Sequence, residues 1–558
     1  MGIQNLKSFF TSNFIGKSIF ILTLFLVVFT YIRVNIDNDI SHISSDVWLY
    51  SFSYIQEQEN IWQGVPEVYI KEPFYLAYHV LNWATAGWNE GVWRFHLLAI
   101  IILCSTYLVN GLVIFAFTKK WWVATLAGVL LVLPHNIFST QIGALGFDNV
   151  RGVGFVFPLY LLLSFYWIHF GIEKYYQNLL LAFVAGLSVY LYPPVGIIII
   201  PLFILTAAIV RGKNYWFKIF IFSAVYLLTS SLFWYGHFSV DHTGMLDQVS
   251  SLSQEQSLLQ IEILKDRFHG SVFDIDFGKF KRSVWDGLPI IVVFFMSLWF
   301  VKIKHSEIWL PLKRFSYISV VFLVMMIIFV VGVEIINQIL IYNHRPAFFI
   351  EHVRLLRALG FIMISQSVLG VYLMSVYVKK TWLVILVSGV LLVSPLWVSA
   401  SAVRFAVRMV VPISIREEYN LAPVQSVSQV KSFSNLQLSA LWVDRTLAKT
   451  DKIFLFNDSQ QEFIFKVLSK RDTNMTVKEG SVWVTSGFDN SVRWYEERMQ
   501  YKKIVENATN FSDILDFAKS LKMTHMLIPR GKYEDLFISS GLDLKTIYQN
   551  YDYRLIVI

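Results

Sequence analysis

The chain has 558 residues, of which 55% are hydrophobic, 16% aromatic and only 15% charged. The hydrophobic residues fall in blocks of about 20 rather than at the spacing of amphipathic helices, which predicts a polytopic membrane protein. The net charge of +8 comes largely from Lys and Arg in short segments between these blocks, so it indicates topology and not binding to nucleic acid. A lone cysteine, Cys104, excludes an intrachain disulfide and a cysteine metal cluster.

The apolar blocks predict about eleven membrane-spanning helices. Pro193 and Pro194 interrupt one long apolar run, and proline in a helix interior removes a backbone donor and clashes with the preceding turn, so this run is split into spans five and six. The basic clusters at span ends, beginning with Lys7 and Lys17, all fall on one side, which predicts a cytoplasmic N-terminus. The other predicted spans cover about 18–34, 95–118, 121–134, 153–169, 219–234, 288–301, 315–340, 361–378 and 381–400.

Two domains are predicted from the change in composition near residue 400. Residues 1–400 form the transmembrane domain, with large outer loops at 35–94 and 237–286, and residues 401–558 form a small soluble α/β domain outside the membrane. No glycine-rich phosphate loop follows the first strand of this domain, so the sequence does not support a nucleotide site. Its predicted strands are 451–457, 480–486, 523–529 and 553–558, and its predicted helices are 459–471, 490–507 and 510–522.

The first outer loop carries carboxylates among aromatic residues, directly after the first span. Asp37 and Asp39, with Asp46 nearby, could act as a general base on an acceptor hydroxyl or hold a divalent cation such as Mg²⁺ or Mn²⁺ beside a phosphate. They could also simply cap an interfacial helix that begins near Ser44. Glu72, just before a proline, could contact substrate or favour the start of a helix.

A second group of candidate residues is basic and falls on the same predicted side. Guanidinium groups bind phosphate oxygens in a bidentate fork, and the positive-inside bias disfavours arginine outside, so these residues suit a polyprenyl phosphate head group. Pairing with Glu351 or with anionic lipid is the alternative. Glu334 is a lone acid at membrane depth and is a further candidate. The group includes Arg151, with Asp148 beside it, and His344, Arg345, His352, Arg354 and Arg357.

The whole layout resembles the GT-C superfamily of membrane glycosyltransferases. The resemblance rests on the acidic loop from Asp37 to Asp46, the stretch from Glu72 to Leu76, the many spans and the outer α/β domain. It implies that a sugar moves from a polyprenyl-phosphate-linked donor to a cell-surface glycan or lipid acceptor at the outer face of a bacterial inner membrane. It also implies that Asp37 and Asp39 are catalytic, as base or metal contact, and that the C-terminal domain shapes the acceptor groove.

Other readings of the sequence stay open. The outer-face arginines, Arg151 and the loop from Arg345 to Arg357, also resemble those of O-antigen and exopolysaccharide polymerases. A transporter or flippase of a lipid-linked substrate is a further alternative, because transporters carry polar residues and broken helices at mid-membrane. Only Glu334 and the Pro193–Pro194 interruption point that way. A non-catalytic assembly or sensor protein would tolerate substitution of the loop acids.

Overall fold

The computed structural model describes part of the chain, and every structural statement below refers to that part. The described residues are 13–32, 91–133, 135–137, 140–142, 163, 175–191, 195–211, 215–239, 252–268, 287–299, 309–343, 357–378, 380–398, 415, 427–456, 465–466, 468–474 and 488–558.

Helices dominate the first 400 residues. A π-helical turn, Val195–Ile199, precedes the fifth α-helix, and a short antiparallel hairpin is formed by β1 (His135–Ile137) and β2 (Thr140–Ile142). The helices are α1 (Asn13–Tyr31), α2 (Gly91–Thr118), α3 (Trp121–Val132), α4 (Tyr175–Leu191), α5 (Ile200–Arg211), α6 (Trp216–Thr229), α7 (Ser231–Ser239), α8 (Gln254–Phe268), α9 (Gly287–Trp299), α10 (Trp309–Tyr342), α11 (Arg357–Tyr377) and α12 (Thr381–Val398).

Four of these helices, α1, α2, α10 and α11, are long and apolar enough to cross a membrane. The predicted class is therefore confirmed in its coarser form, a largely helical chain with several apolar helices and a small sheet at the C-terminus. Predicted span four, 153–169, lies outside the described residues except for position 163. Helix α1 begins at Asn13 and not at residue 18, because the helix extends past the apolar block into its polar flank.

Small residues allow the first three helices to pack closely. Gly111 of α2 lies against the Phe20 ring of α1, and Gly128 of α3 lies against the Tyr107 ring. The Tyr107 hydroxyl donates to the carbonyl of Phe20 at 2.9 Å. Between membrane helices there is no hydrophobic driving force, so close backbone approach and interhelical hydrogen bonds of this kind hold the helices together.

A buried polar cluster joins α9, α10 and α11. The Gln366 amide donates to the Ser316 hydroxyl at 2.7 Å and to the Ser297 hydroxyl at 3.0 Å. All three side chains are buried. The outer surfaces of the helices are apolar instead: α1, for example, exposes Leu22 and Phe25. Helices in lipid are expected to place polar residues inside the bundle and apolar residues on its outer surface.

The chain reverses direction after α4, where the sequence predicts a break. A side chain at Gly196 would contact the Cα of Val189 at 2.6 Å, so the segment after the break folds back against α4. The Tyr226 hydroxyl donates to the Gly196 carbonyl at 2.7 Å, and the Tyr190 hydroxyl donates to the Thr229 carbonyl at 2.9 Å. The run thus forms two helices, α4 and α5, and the number of membrane spans stays a prediction. The prolines themselves lie outside the described residues.

The C-terminal region forms a three-layer α/β domain. Its sheet has the strand order β4-β3-β5-β7-β6, in which β4, β3 and β5 are parallel while β7 is antiparallel to both of its neighbours. The partly parallel sheet is therefore confirmed. The elements are α13 (Val427–Thr446), β3 (Lys452–Leu455), β4 (Asp472–Thr473), α14 (Phe488–Tyr501), α15 (Phe511–Ser520), β5 (His525–Pro529), α16 (Lys532–Ser539), β6 (Thr546–Gln549) and β7 (Tyr553–Val557).

Alternation along the strands divides the core of this domain into two layers. Phe454, Met526 and Ile556 face a cluster built from α14, α15 and α16. Their sequence neighbours, such as Ile453 and Leu527, face α13 on the other side. Successive side chains of a strand point to opposite faces, so a strand that is apolar at every position is buried on both sides.

Several elements of the domain differ from those predicted. Strand β4 is not among the predicted strands. It has only two residues, and the Asn474 side chain continues its pairing by accepting from the Leu455 amide at 2.8 Å and donating to the Leu455 carbonyl at 3.1 Å. Helices α13 and α16 and strand β6 were also not predicted. The predicted strand 480–486 lies outside the described residues, and of the predicted helix 459–471 residues 465–466 and 468–469 are helical.

Candidate functional site at one end of the helix bundle

One end of the bundle is marked by basic residues. The Phe117 and Phe315 rings pack edge to face with centroids 5.1 Å apart, which places the end of α2 beside the start of α10. Gly16, near the start of α1, lies against Trp121, the first residue of α3. The residues near these positions are Lys17, Lys119, Lys120, Lys313 and Arg314. These three of the positive clusters used to predict topology thus converge at this end of the bundle.

The opposite end is where the two candidate loops begin. Helix α1 runs away from the basic end to Tyr31, and α2 returns from Gly91 to Thr118. Helix α10, with 34 residues, runs away from the basic end for about 50 Å and stops at Tyr342. The chain between α1 and α2, which carries the acidic residues, and the chain after α10, which carries the basic ones, therefore both begin at helix ends that point away from the basic end.

The predicted site residues themselves lie outside the described part of the chain. Arg357 is the first residue of α11, and only its backbone is described. The distances between the predicted site residues, and a metal site at Asp37 and Asp39, stay predictions. Among the described residues there is no group of three or more potential metal ligands. The undescribed residues are Asp37, Asp39, Asp46, Glu72, Asp148, Arg151, His344, Arg345 and Arg354.

Glu334 is the one acidic residue of α10. It lies on α10, about 12 Å along the axis before Tyr342. Its carboxylate accepts a hydrogen bond from the Gln338 amide, one turn further on, at 2.9 Å. An acid on a helix of this apolar character is a functional candidate by its position, so Glu334 stays a candidate for contact with a polar head group.

A helix in the second predicted outer loop binds the C-terminal domain. Within 237–286, α8 was not predicted, and it packs against α14. The Gln260 amide donates to the Ser491 hydroxyl at 3.2 Å, and the Tyr495 hydroxyl donates to the Glu262 carboxylate at 2.9 Å. Both partners in the first bond are buried. This contact fixes the α/β domain to the transmembrane part of the chain through a loop as well as through the linker after α12.

Comparisons with known proteins find two solved structures of low similarity. No family model matches the sequence, and no curated protein matches it. ArnT from Cupriavidus metallidurans bound to undecaprenyl phosphate is 11% identical, with a TM-score of 0.48 and 97% coverage of each chain. ArnT from the same organism in the apo state is 10% identical, again with a TM-score of 0.48 and 97% coverage of each chain.

Proposed function

We propose that this protein is a membrane glycosyltransferase. It transfers a sugar from a polyprenyl-phosphate-linked donor to a cell-surface glycan or lipid acceptor on the outer face of a bacterial inner membrane. The observation that carries the proposal is that the acidic loop after α1 and the basic loop after α10 both begin at helix ends directed away from the basic end. A reaction between a phosphate-bearing lipid and an acceptor hydroxyl needs both kinds of group on one side of the membrane.

The chemistry assigned to these residues is a displacement at the anomeric carbon. The acceptor oxygen forms a bond to this carbon while the bond from the carbon to the phosphate oxygen breaks, and Asp37 or Asp39 takes the acceptor proton. Arg345, Arg354 and Arg357 hold the phosphate that leaves, because guanidinium stays charged and matches phosphate geometry. Two carboxylates suit a hard divalent cation, and Mg²⁺ or Mn²⁺ held there would neutralise charge on the leaving phosphate.

The orientation belongs to the same proposal. With eleven spans, the basic end of the bundle is cytoplasmic, the N-terminus is inside and residues 401–558 are outside, where they shape the acceptor groove. The contact between α8 and α14 supports placing the second outer loop and the C-terminal domain on one side.

A transporter has less support than the transferase. Its main indication in the sequence was a broken helix at mid-membrane, but the chain reverses direction there and forms two helices. A polymerase of O-antigen or exopolysaccharide would share the outer arginines. Its deletion would remove long glycan chains, whereas deletion of a transferase of single sugars would remove one sugar modification.

The test compares surface glycans and lipid-linked sugars by mass spectrometry. The strains are the wild type, a deletion, and the deletion complemented with Asp37→Asn, Asp39→Asn at normal protein level. Loss of one sugar modification in both mutants supports the transferase, and the lost mass names the sugar. Loss of long chains with intact repeat units would indicate a polymerase. The control is Asp543→Asn, an exposed acid of the C-terminal domain, which should restore the wild-type profile.

A further inference from the structure

The turn between β6 and β7 holds a tyrosine in a fixed, exposed position. Tyr551 lies at the tip of this turn and is 72% exposed. Its neighbour Asn550 accepts from the amides of Asp552 and Tyr553 at 3.0 and 2.8 Å, and it donates to the carbonyl of Asn435 at 2.8 Å. One half-buried side-chain amide thus closes the turn and joins it to α13.

The residue on the other side of Tyr551 is fixed as well. The Asp552 carboxylate accepts from the Asn435 amide at 2.7 Å, and the Asp552 carbonyl accepts from the Arg530 amide at 2.8 Å. The turn is therefore held both by α13 and by the end of β5. A loop whose flanking residues are tied down in this way loses little conformational entropy when a ligand binds to its tip.

An arginine lies over the exposed ring. The Arg530 guanidinium is 5.3 Å from the centroid of Tyr551. Its other contacts are long, 3.5 Å to the Asn550 carbonyl and 3.8 Å to the Glu534 carboxylate, and its side chain is 43% exposed. Glu534 makes its short ion pair with Arg554 instead, at 2.9 Å. The N–H groups of Arg530 can therefore turn to a ligand without breaking a short bond.

The position of this pair in the sheet is one where α/β domains bind ligands. Arg530 directly follows β5, whose parallel neighbour is β3, so the pair lies at the carboxyl ends of the parallel strands. Ligands of open α/β sheets bind outside these ends.

The balanced charges of the surface around Arg530 and Tyr551 favour a neutral ligand. Segments 530–535 and 551–554 together carry three basic and three acidic residues, so their charges balance and a phosphate gains little there. An open aromatic ring can stack on the apolar C–H face of a sugar, while guanidinium and carboxylate groups bind the hydroxyls around the sugar's edge. A pyranose ring offers both kinds of surface.

We infer that Tyr551 and Arg530 form a sugar-binding subsite, which holds one pyranose unit of a glycan acceptor outside the catalytic loops. This inference rests on the proposed function for its biological role but not for its binding chemistry. The subsite would guide the acceptor and take no part in bond formation.

Binding to the full-length protein in lipid nanodiscs tests the subsite. Cellotriose, maltotriose and chitotriose are the probes, and saturation-transfer NMR reports contact. At least one should bind to the wild type, and Tyr551→Ala should raise its Kd about tenfold. Tyr551→Phe keeps the ring and should bind as the wild type does, whereas Arg530→Ala should bind more weakly. Because Tyr551 is exposed, the alanine variant should elute and melt as the wild type does.

The result that overturns the subsite is a failure of all three sugars to bind the wild type, or equal binding by Tyr551→Ala. The variant Asp37→Asn, Asp39→Asn separates this inference from the proposed function, since it should lose transfer and keep trisaccharide binding. If deletion of the protein leaves all surface glycans unchanged while Tyr551 still binds sugar, the transferase is wrong and the subsite stands.

Discussion

Gln260 and Ser491 are 231 positions apart in the sequence, yet their side chains share a buried hydrogen bond of 3.2 Å. The first belongs to a loop between membrane helices and the second to the C-terminal domain. The domain is thus held at two places along the chain, and the loop cannot move far without moving the domain.

Replacement of Ser491 by valine should release this loop. The Gln260 amide would keep its buried position but lose its acceptor, which costs about 1–3 kcal/mol. Trypsin should then cleave within 237–286 several times faster than in the wild type. Glu255→Gln, at an exposed position of the same helix, should leave the rate unchanged. If both variants are cleaved at the wild-type rate, the contact between α8 and α14 does not restrain the loop.

Arg471 should be essential to the stability of α13. Its buried guanidinium donates to the carbonyls of Leu447 at 2.6 Å and Asp444 at 3.3 Å, at the C-terminal end of that helix. Helix ends leave carbonyls without partners, and charge-assisted bonds to them are among the stronger ones. Arg471→Met should lower the free energy of unfolding of the domain by about 2–3 kcal/mol, seen as faster hydrogen exchange in residues 435–446.

Arg445 provides the matched control for Arg471. It is an exposed arginine in the last turn of the same helix, and its removal deletes one charge without opening buried carbonyls. Arg445→Met should change the exchange rates little. Equal effects of the two substitutions would mean that general charge near the helix end matters and the buried capping bonds do not.

The stability of β5 should depend on pH through His525. Burial lowers the pKa of His525 below its ordinary value of 6.5, and nearby Asp451 opposes this to a smaller extent. The folded state therefore binds fewer protons than the unfolded state, so stability is complete above pH 6.5 and falls as the pH drops towards the folded pKa. Hydrogen exchange of 525–529, corrected for intrinsic rates, should show protection declining from pH 7.5 to 5.5.

The variant His525→Gln shows whether this histidine is the cause. Without a group that titrates in this range, the protection of β5 should vary much less with pH between 7.5 and 5.5. A decline as steep as that of the wild type would assign the pH dependence to other residues.

The sequence predicts those elements in which one strong pattern dominates. Helix α15 buries Phe511, Ile514 and Phe517 on one face, and this spacing is readable without a structure. Helix α8 is more polar, and a partner 231 residues away provides its buried contact, so no local pattern reveals it. Strand β4 has two residues and depends on the Asn474 side chain, which also leaves no periodic signal.

In the candidate site, too, a strong local pattern predicts some features, and those without such a pattern are missed. Positive clusters such as Lys119 and Lys120 predict which helix ends lie together, and the contact between Phe117 and Phe315 agrees with this. Distances within the acidic and basic loops do not follow from such clusters. The pair Arg530 and Tyr551 was missed because pairing of β5 with β7 brings the two residues together, and neither belongs to a motif.

Glycine substitutions should separate the close helix contacts of the membrane domain from its open surfaces. A methyl group at Gly111 would overlap the Phe20 ring and lie 3.1 Å from the Ala124 carbonyl, whereas one at Gly332 would meet nothing within 4 Å. Gly111→Ala should therefore destabilise the packing of α1 on α2 by about 1–3 kcal/mol. Gly332→Ala, in the interior of α10, should leave stability unchanged or raise it by up to about 1 kcal/mol.

Cys104 provides the measurement, because it is the sole cysteine and is partly buried within α2. A thiol-reactive dye should label it at a lower temperature in Gly111→Ala than in the wild type, and at the same or a higher temperature in Gly332→Ala. The opposite signs matter more than either shift alone, since a general loss of stability in detergent would move both variants in one direction. If Gly111→Ala melts like the wild type, Phe20 moves aside at little cost, and α1 is held to α2 by the Tyr107 hydrogen bond and the surrounding apolar contacts.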